Sequence, residues 1–285
     1  MQYADLHLHS YYSDGLFSPE EIVKKAMDKN IRYISITDHD TINYNINDLK
    51  INSKSTLLIP GIELSSEYLD EEVHILGYFI DTKNKKLQEY LNLIQNARVY
   101  RVEEMLRKLR THNICIDFHE LDISNSNSIG RAHIAKAMIS KGYVKNFKEA
   151  FYNYLSKNRC AYVPRYKIPY KDALGLIKDI GGISSLAHPG EIYKGISLEA
   201  MVKDFKAYGL TSIEVFHPSH NSKETNDYYN LSSKYKFLIT GGSDCHGNDI
   251  NGELLMGTYG LSEKLMNKII KYMFNNGGDI NELFL

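Results

Sequence analysis

Tyr3-Ala4-Asp5-Leu6-His7-Leu8-His9-Ser10, with Asp14 shortly after, decides how this chain is read. Tyr3–His7 has the apolar character of a β-strand, and residues two apart on a strand point to the same side. His7 and His9 therefore project together from the end of a first strand, with Asp14 in the loop beyond. Two imidazoles and a carboxylate are ligands for a divalent metal. On this motif alone a pair of ordinary hydrogen-bonded histidines remains an open alternative.

Reading outward, Ser18-Pro19-Glu20-Glu21 is a helix start, with Ser18 as N-cap, Pro19 in the first helical position and Glu21 closing a capping box. That helix is expected to run to about Lys29. Ile31–Thr37 reads as the next strand and delivers Asp38-His39-Asp40 at its end. Leu57–Glu63 and Val73–Phe79 read as two more strands. From about Lys85 the apolar residues Leu87, Leu91, Ile94, Val102, Met105, Leu106 and Leu109 recur with helical spacing. A mostly helical stretch follows, from about Thr111 to Cys160. Strands resume at Ile183–Ala187, Ser212–Phe216 and Phe237–Thr240, with helices expected near Tyr170, Ser197, Ser222 and Ser262. Alternating βα units imply a largely parallel sheet. Candidate ligands follow at least six strands, which favours a barrel over an open sheet, since a barrel gathers its site at the C-terminal strand ends.

The chain has 285 residues and a 43% hydrophobic content, enough for one large α/β domain or a domain with an insertion. Its 34 basic and 35 acidic side chains nearly cancel, so no basic stripe advertises duplex DNA or a membrane surface. A small anionic substrate remains compatible with that balance. No signal-peptide pattern and no membrane-length apolar run is read. Cys115, Cys160 and Cys245 are odd in number and scattered, which argues against a disulfide framework and for a reducing, cytoplasmic setting.

Further candidate ligands come one by one. His39 follows a strand, where Asp38 and Asp40 also suit a helix cap or turn. Pro60-Gly61-Ile62-Glu63 ends a strand on a carboxylate. His74 sits inside an apolar strand, where a lone histidine is more often a core residue. Ala187-His188-Pro189-Gly190 ends a strand, as does Gly242-Ser243-Asp244-Cys245-His246-Gly247. Each signal has a plain structural alternative. Together they put six histidines and three carboxylates around one expected face. Burying so many ionisable groups without a metal is costly, so the set points to a multinuclear metal site.

The strings Asp-x-His-x-His-Ser…Asp-Gly, Thr-Asp-His-Asp, Pro-Gly-Ile-Glu, Val-His-Ile-Leu-Gly, Ala-His-Pro-Gly and Gly-Ser-Asp-x-His-Gly, in order from Asp5 to Gly247, resemble the PHP (polymerase and histidinol phosphatase) family. The resemblance implies a distorted (β/α)7 barrel holding three divalent ions, whether Mn²⁺, Zn²⁺ or Fe²⁺. It implies that His7, His9, Glu63 and Asp244 hold one ion. Glu63 would bridge to a second ion, held also by His74 and His188, and Asp14, His39 and His246 would hold the third. It further implies a barrel at 1–98 and 163–285, with a helical, substrate-capping insertion at 99–162.

Within the family the chain is most similar to phosphoesterases of nucleoside 3′,5′-bisphosphates, some of which also trim short RNA from the 5′ end. Ile129-Gly130-Arg131-Ala132-His133 and Glu214-Val215-Phe216-His217-Pro218-Ser219-His220 carry that similarity, although Ala132 stands where the subgroup usually has proline. The expected reaction is hydrolysis of a phosphate monoester by a metal-bridging hydroxide, with phosphate as a product. Arg131 and His217 are the expected catalytic side chains, and Arg131, His133, His217 and His220 the expected substrate contacts. Arg165 and Lys167 are weaker candidates for a second phosphate. Asp38 and Asp40 are candidates for orienting ligand imidazoles. Cys245 reads as a small buried thiol. The alternatives are a histidinol-phosphate or mononucleotide phosphatase, an amidohydrolase cutting C–N bonds, and a non-catalytic scaffold.

Overall fold

The computed structural model describes residues 2–42, 55–122, 129–192, 195–248 and 252–276. They form two compact units, one of residues 1–88 with 167–285 and one of residues 89–166.

The first unit is built on β1 (Ala4–Leu8), α1 (Pro19–Asp28), β2 (Tyr33–Ile36), β3 (Leu57–Tyr68) and β4 (Glu71–Tyr78). The cap expected at Ser18 forms: the Glu21 amide donates to Ser18 Oγ at 3.1 Å, and the Ser18 amide donates to Glu21 Oε2 at 2.8 Å. β3 and β4 make an antiparallel hairpin whose turn residues, Leu69 and Asp70, have φ of 51° and 64°. Two consecutive left-handed residues are the signature of a type I′ turn, whose twist matches the flanking strands.

The long helix α2 (Lys85–Arg110) and the helices α3 (Arg131–Ser140) and α4 (Phe147–Ala150) belong mostly to the second unit. Val102, Met105, Leu106 and Leu109 of α2 bury against Ile134, Ala135 and Met138 of α3, giving that unit its own core. The helical periodicity read from the sequence is thus one face of α2.

The chain then adds β5 (Ile168–Pro169), α5 (Tyr170–Asp179), β6 (Ile183–Leu186), α6 (Leu198–Ala207), β7 (Ser212–Phe216), α7 (Ser222–Tyr235), β8 (Leu238–Gly241) and α8 (Glu263–Asn275). The sheet order is β1-β2-β3-β4-β6-β7-β8, with short β5 beside β3. β1, β2 and β3 run parallel, as do β6, β7 and β8, while β4 is antiparallel to both its neighbours. The expected barrel is therefore present as a nearly closed, mixed sheet.

Closure across β1 and β8 rests on close backbone approach. The His9 amide donates to the Cys245 carbonyl at 3.1 Å, and Leu8 bridges to Cys245. A Cβ on Gly242 would lie 2.3 Å from His7 Cβ, so only glycine lets the chain pass there. The buried Asp5 carboxylate ties the same seam. It accepts from the Ser243 amide at 2.9 Å, Ser243 Oγ at 2.7 Å and the Gly257 amide at 2.8 Å. Burial, opposed by these hydrogen bonds, raises the Asp5 carboxyl to about 6.

Candidate metal centre

Glu63 is the hub. It is fully buried, and both oxygens face imidazoles from different elements. Oε1 lies 2.9 Å from His74 Nδ1 and 3.1 Å from His188 Nε2, which are themselves 3.3 Å apart. Oε2 lies 2.9 Å from His39 Nδ1 and 3.4 Å from Nε2 of both His7 and His9. Asp244 Oδ1 closes the other side, 3.3 Å from His7 Nε2 and 3.1 Å from His9 Nε2. Asp14 gathers a further set, with Oδ1 3.2 Å from His246 Nε2 and 3.7 Å from His9 Nδ1, and Oδ2 3.8 Å from His39 Nε2. All nine residues expected as ligands are thus drawn into one continuous cluster.

Local folding explains how they converge. The bridge between His39 and Glu63, with the Asp40 amide donating to the Glu63 carbonyl at 2.9 Å, sets His39 beside the hub. Glu63 does not end its strand, because pairing with β4 carries β3 on to Tyr68. His74 pairs with Ser65, two residues from Glu63, so His74 and Glu63 face the same side. β4 runs backwards, so its early residues lie at the C-terminal ends of the parallel strands. His74 is accordingly a ligand candidate within a strand. A tight loop returns Asp14 over His9: a Cβ on Gly15 would lie 2.1 Å from the His9 carbonyl oxygen. Two of the nine residues, His188 at φ 24° and Asp244 at φ 49°, hold left-handed backbone, a conformation that costs energy in non-glycine residues.

The cluster is poorly satisfied by hydrogen bonding. Buried His7 Nε2, His9 Nε2, His39 Nδ1 and Glu63 Oε2 have short separations from one another's residues yet make no hydrogen bond. Atoms that converge without mutual donor–acceptor alignment suit ions placed between them, and the mixed imidazole–carboxylate donor set fits divalent metals. Four overlapping groups have the compactness a metal requires: His9/Asp14/His39/His246, His7/His9/Glu63, His7/His217/Asp244 and His39/Glu63/His74.

Electrostatics agree with ionised carboxylates. Burial alone would raise the Glu63 carboxyl, but His39, His74, His7 and the hydrogen bond from His188 hold it well below the usual range. Burial likewise opposes ionisation of Asp14 and Asp244, and the surrounding imidazoles outweigh it in both. The same attraction raises His74 to about 10, against burial, chiefly through Glu63. His246 rises to about 9, against burial, through Asp14.

Two carboxylates that the sequence reading left without a role orient the imidazoles. Glu214 Oε1 lies 3.0 Å from His7 Nδ1, and Glu72 Oε1 lies 3.2 Å from His74 Nε2. Each sits behind a ring whose other nitrogen faces the cluster. Burial alone would raise Glu214, but His7, then His217 and His188, hold it below its ordinary value. The one signal in the sequence was the two-residue offset of Glu72 from His74 on β4; Glu214, on a strand that carries none of the nine residues, had none. The expectation for Asp38 needs correcting. Its carboxylate accepts from the Ser10 amide at 2.7 Å and from the Ser10 and Ser13 hydroxyls at 2.6 Å, so it braces the loop that carries Asp14. Asp40 Oδ1 accepts from the Ser65 amide at 2.8 Å.

The expected substrate residues divide. His217 Nε2 is 3.4 Å from Asp244 Oδ2. The Ser219 amide donates to His217 Nδ1 at 3.1 Å, so in the neutral ring the proton sits on Nε2. That tautomer makes His217 a donor toward the cluster and a poor metal ligand. His220 does not present a free ring atom: Nδ1 donates to the Val215 carbonyl at 3.0 Å, and Nε2 accepts from the Gly190 amide at 3.2 Å. It staples the end of β7 to the turn after β6, so both ring nitrogens are engaged within the protein. Lys167 pairs with Glu72 at 3.3 Å. Cys245 is buried, its thiol donates to the Gly247 carbonyl at 3.3 Å, and burial pushes its pKa up.

Arg131 and His133 lie in the second unit, at the start of α3, and the Gly130 amide donates to His133 Nδ1 at 3.2 Å. Arg101, unread in the sequence because only apolar positions of α2 were counted, is nearly buried and donates from Nε to the Val163 carbonyl at 2.8 Å. Burial first, then the like charges of Arg131, Arg165 and Arg98, bring Arg101 down to about 10.

The PHP domain model matches residues 5–159. A 3′,5′-nucleoside bisphosphate phosphatase from Chromobacterium violaceum is 30% identical over 246 residues, 85% of this chain and 86% of its own. The 5′-3′ exoribonuclease Rnm from Salmonella typhimurium is 28% identical over 247 residues, 85% of this chain and 84% of its own. Among solved structures, a protein from Bifidobacterium adolescentis described as a metal-dependent phosphoesterase has a TM-score of 0.82 at 22% identity, covering 99% of this chain and 98% of that one. A Chromobacterium violaceum protein described as an amidohydrolase with bound sulfate and no metal has a TM-score of 0.79 at 26% identity, covering 96% of each. A family match over more than half the chain, joined to a relative alike along most of both sequences, means that this chain belongs to the PHP domain family.

Proposed function

We propose that this chain, a metal-dependent phosphoesterase, removes the 3′-phosphate of nucleoside 3′,5′-bisphosphates, converting adenosine 3′,5′-bisphosphate (pAp) to AMP. The observation that carries the reading is the hub: one buried carboxylate, Glu63, shared by five imidazoles, of which His7, His9 and His39 face it with nitrogens that lack hydrogen bonds. His7, His9, Glu63 and Asp244 would hold one ion, Glu63, His74 and His188 a second, and Asp14, His39 and His246 a third. When bound, such ions supply an activated water near neutral pH and neutralise phosphoryl charge. The residue that would be shared between ions is a carboxylate, Glu63, which supports phosphoester over C–N hydrolysis.

The chain's own side chains would do the rest. His217 holds a proton at Nε2 and is the donor for the departing ribose oxygen. Arg131 and His133 are the proposed anion-recognition residues of the second unit, where Arg98, Arg101 and Arg165 add positive charge. The named relatives act on a nucleoside bisphosphate and on RNA, and the near-neutral net charge favours the smaller substrate.

The test is phosphate release with Mn²⁺ from pAp, AMP, histidinol phosphate and a short 5′-phosphorylated RNA. Preference for pAp supports the proposal, and preference for AMP or histidinol phosphate overturns it. His9→Ala and Asp244→Ala should each abolish turnover with loss of bound metal. Wild-type turnover in either variant removes that residue from the proposed ligand set.

A further inference from the structure

Glu214 stands behind the cluster on β7, fully buried, with both oxygens engaged by residues from other parts of the barrel. Oε1 lies 3.0 Å from His7 Nδ1 on β1. Oε2 accepts the backbone N–H of His188, after β6, at 2.7 Å. A carboxylate that only accepts fixes the His7 proton on Nδ1 and leaves the Nε2 lone pair aimed toward Glu63 and Asp244. Its other oxygen holds the amide of a residue whose backbone, at φ 24°, needs an external restraint.

We infer that Glu214 is a positioning residue that sets the tautomer of His7 and the backbone of His188 together, so that one carboxylate preorganises ligands of two different ions. The inference rests on the proposed metal site but not on the identity of the substrate. It distinguishes Glu214 from Glu72, which faces one ring and, through its other oxygen, Lys167.

The chemistry selects the test. Both partners of Glu214 are donors, so a glutamine satisfies only one with its carbonyl and turns its NH₂ on the other. If the NH₂ faces His7, Nδ1 must accept and the proton moves to Nε2, blocking the nitrogen that faces the ions. If it faces His188, the strained amide loses its acceptor. Glu214→Gln and Glu214→Asp in the full chain are compared with wild type by chelator competition for Mn²⁺ and Zn²⁺, by thermal melting in EDTA, and by ¹⁵N NMR of metal-free protein labelled at histidine. For Glu214→Gln the expected result is about 10–100-fold weaker metal binding, the range typical of lost outer partners. Melting in EDTA should stay near wild type, and the ion held with Asp14 should be retained. Glu214→Asp, which keeps two acceptors, should recover part of the affinity.

Wild-type metal affinity in Glu214→Gln overturns the inference, as does a loss of folding stability in EDTA that accounts for the whole change. If neither variant folds, the wild-type spectrum still decides: neutral His7 protonated on Nε2 in metal-free protein overturns it. A wild-type chain that binds no divalent ion would instead defeat the metal site itself.

Discussion

At the scale of single residues, the cluster depends on positions that carry no ligand chemistry. Gly242 lets the chain pass His7, where an added Cβ would meet His7 Cβ at 2.3 Å and His7 N at 2.4 Å. Gly242→Ala is expected to cost about 1–3 kcal/mol, as overpacking does, with the loss read by denaturant unfolding and accompanied by reduced metal content. Asp38 accepts from a buried amide and two hydroxyls in the Ser10–Ser13 loop. Asp38→Ala should cost about 1–3 kcal/mol for the unpaired donors and, on the proposed ligand sets, weaken metal binding at Asp14 more than at His74. Selective loss at His74 would contradict that loop assignment. The clustering of the candidate ligands was legible because so many His and carboxylate side chains at strand ends have no joint packing explanation. Their oriented partners were not. Glu214 and Glu72 look like any strand glutamate until the partner ring is known, and Asp38, the obvious nominee beside His39, turns instead to Ser10 and Ser13.

At the scale of elements, the strand and helix positions followed from apolar spacing and caps, as α1 illustrates, whereas strand direction did not. Nothing in Val73–Phe79 reports that β4 runs antiparallel, since direction depends on the short turn before it. That turn places Leu69, exposed and bulky, in left-handed backbone at φ 51°. Asparagine tolerates this conformation far better. Leu69→Asn should therefore raise stability by about 1 kcal/mol, within the usual cost of such strain, without changing metal content. An unchanged or lowered melting temperature would refute the strain argument. The same turn fixes the Ser65–His74 pairing and so places an imidazole on the side of Glu63.

At the scale of the whole molecule, metal and proton compete for one set of imidazoles. In metal-free protein His74 and His246 are raised from 6.5 to about 10 and about 9, so their protonated forms stabilise the fold. That contribution is complete below about 6.5 and is lost as pH rises toward those values. Metal binding needs neutral rings and strengthens over the same range. The gap in melting temperature between Mn²⁺-loaded and EDTA-treated protein should therefore widen as pH is raised from about 6.5 to about 9. A gap that narrows would mean the imidazoles are not the ligands.

The reversed strand carries one more implication, for how the gene tolerates change. Because His74 is reached through a hairpin, its facing obeys parity. Inserting one codon between Glu71 and Val73 leaves the chain either to bulge or to turn its imidazole outward, while inserting two preserves the facing. Length variation in this short segment should thus be filtered by whether it is odd or even, a rule that the loop-borne members of the cluster escape.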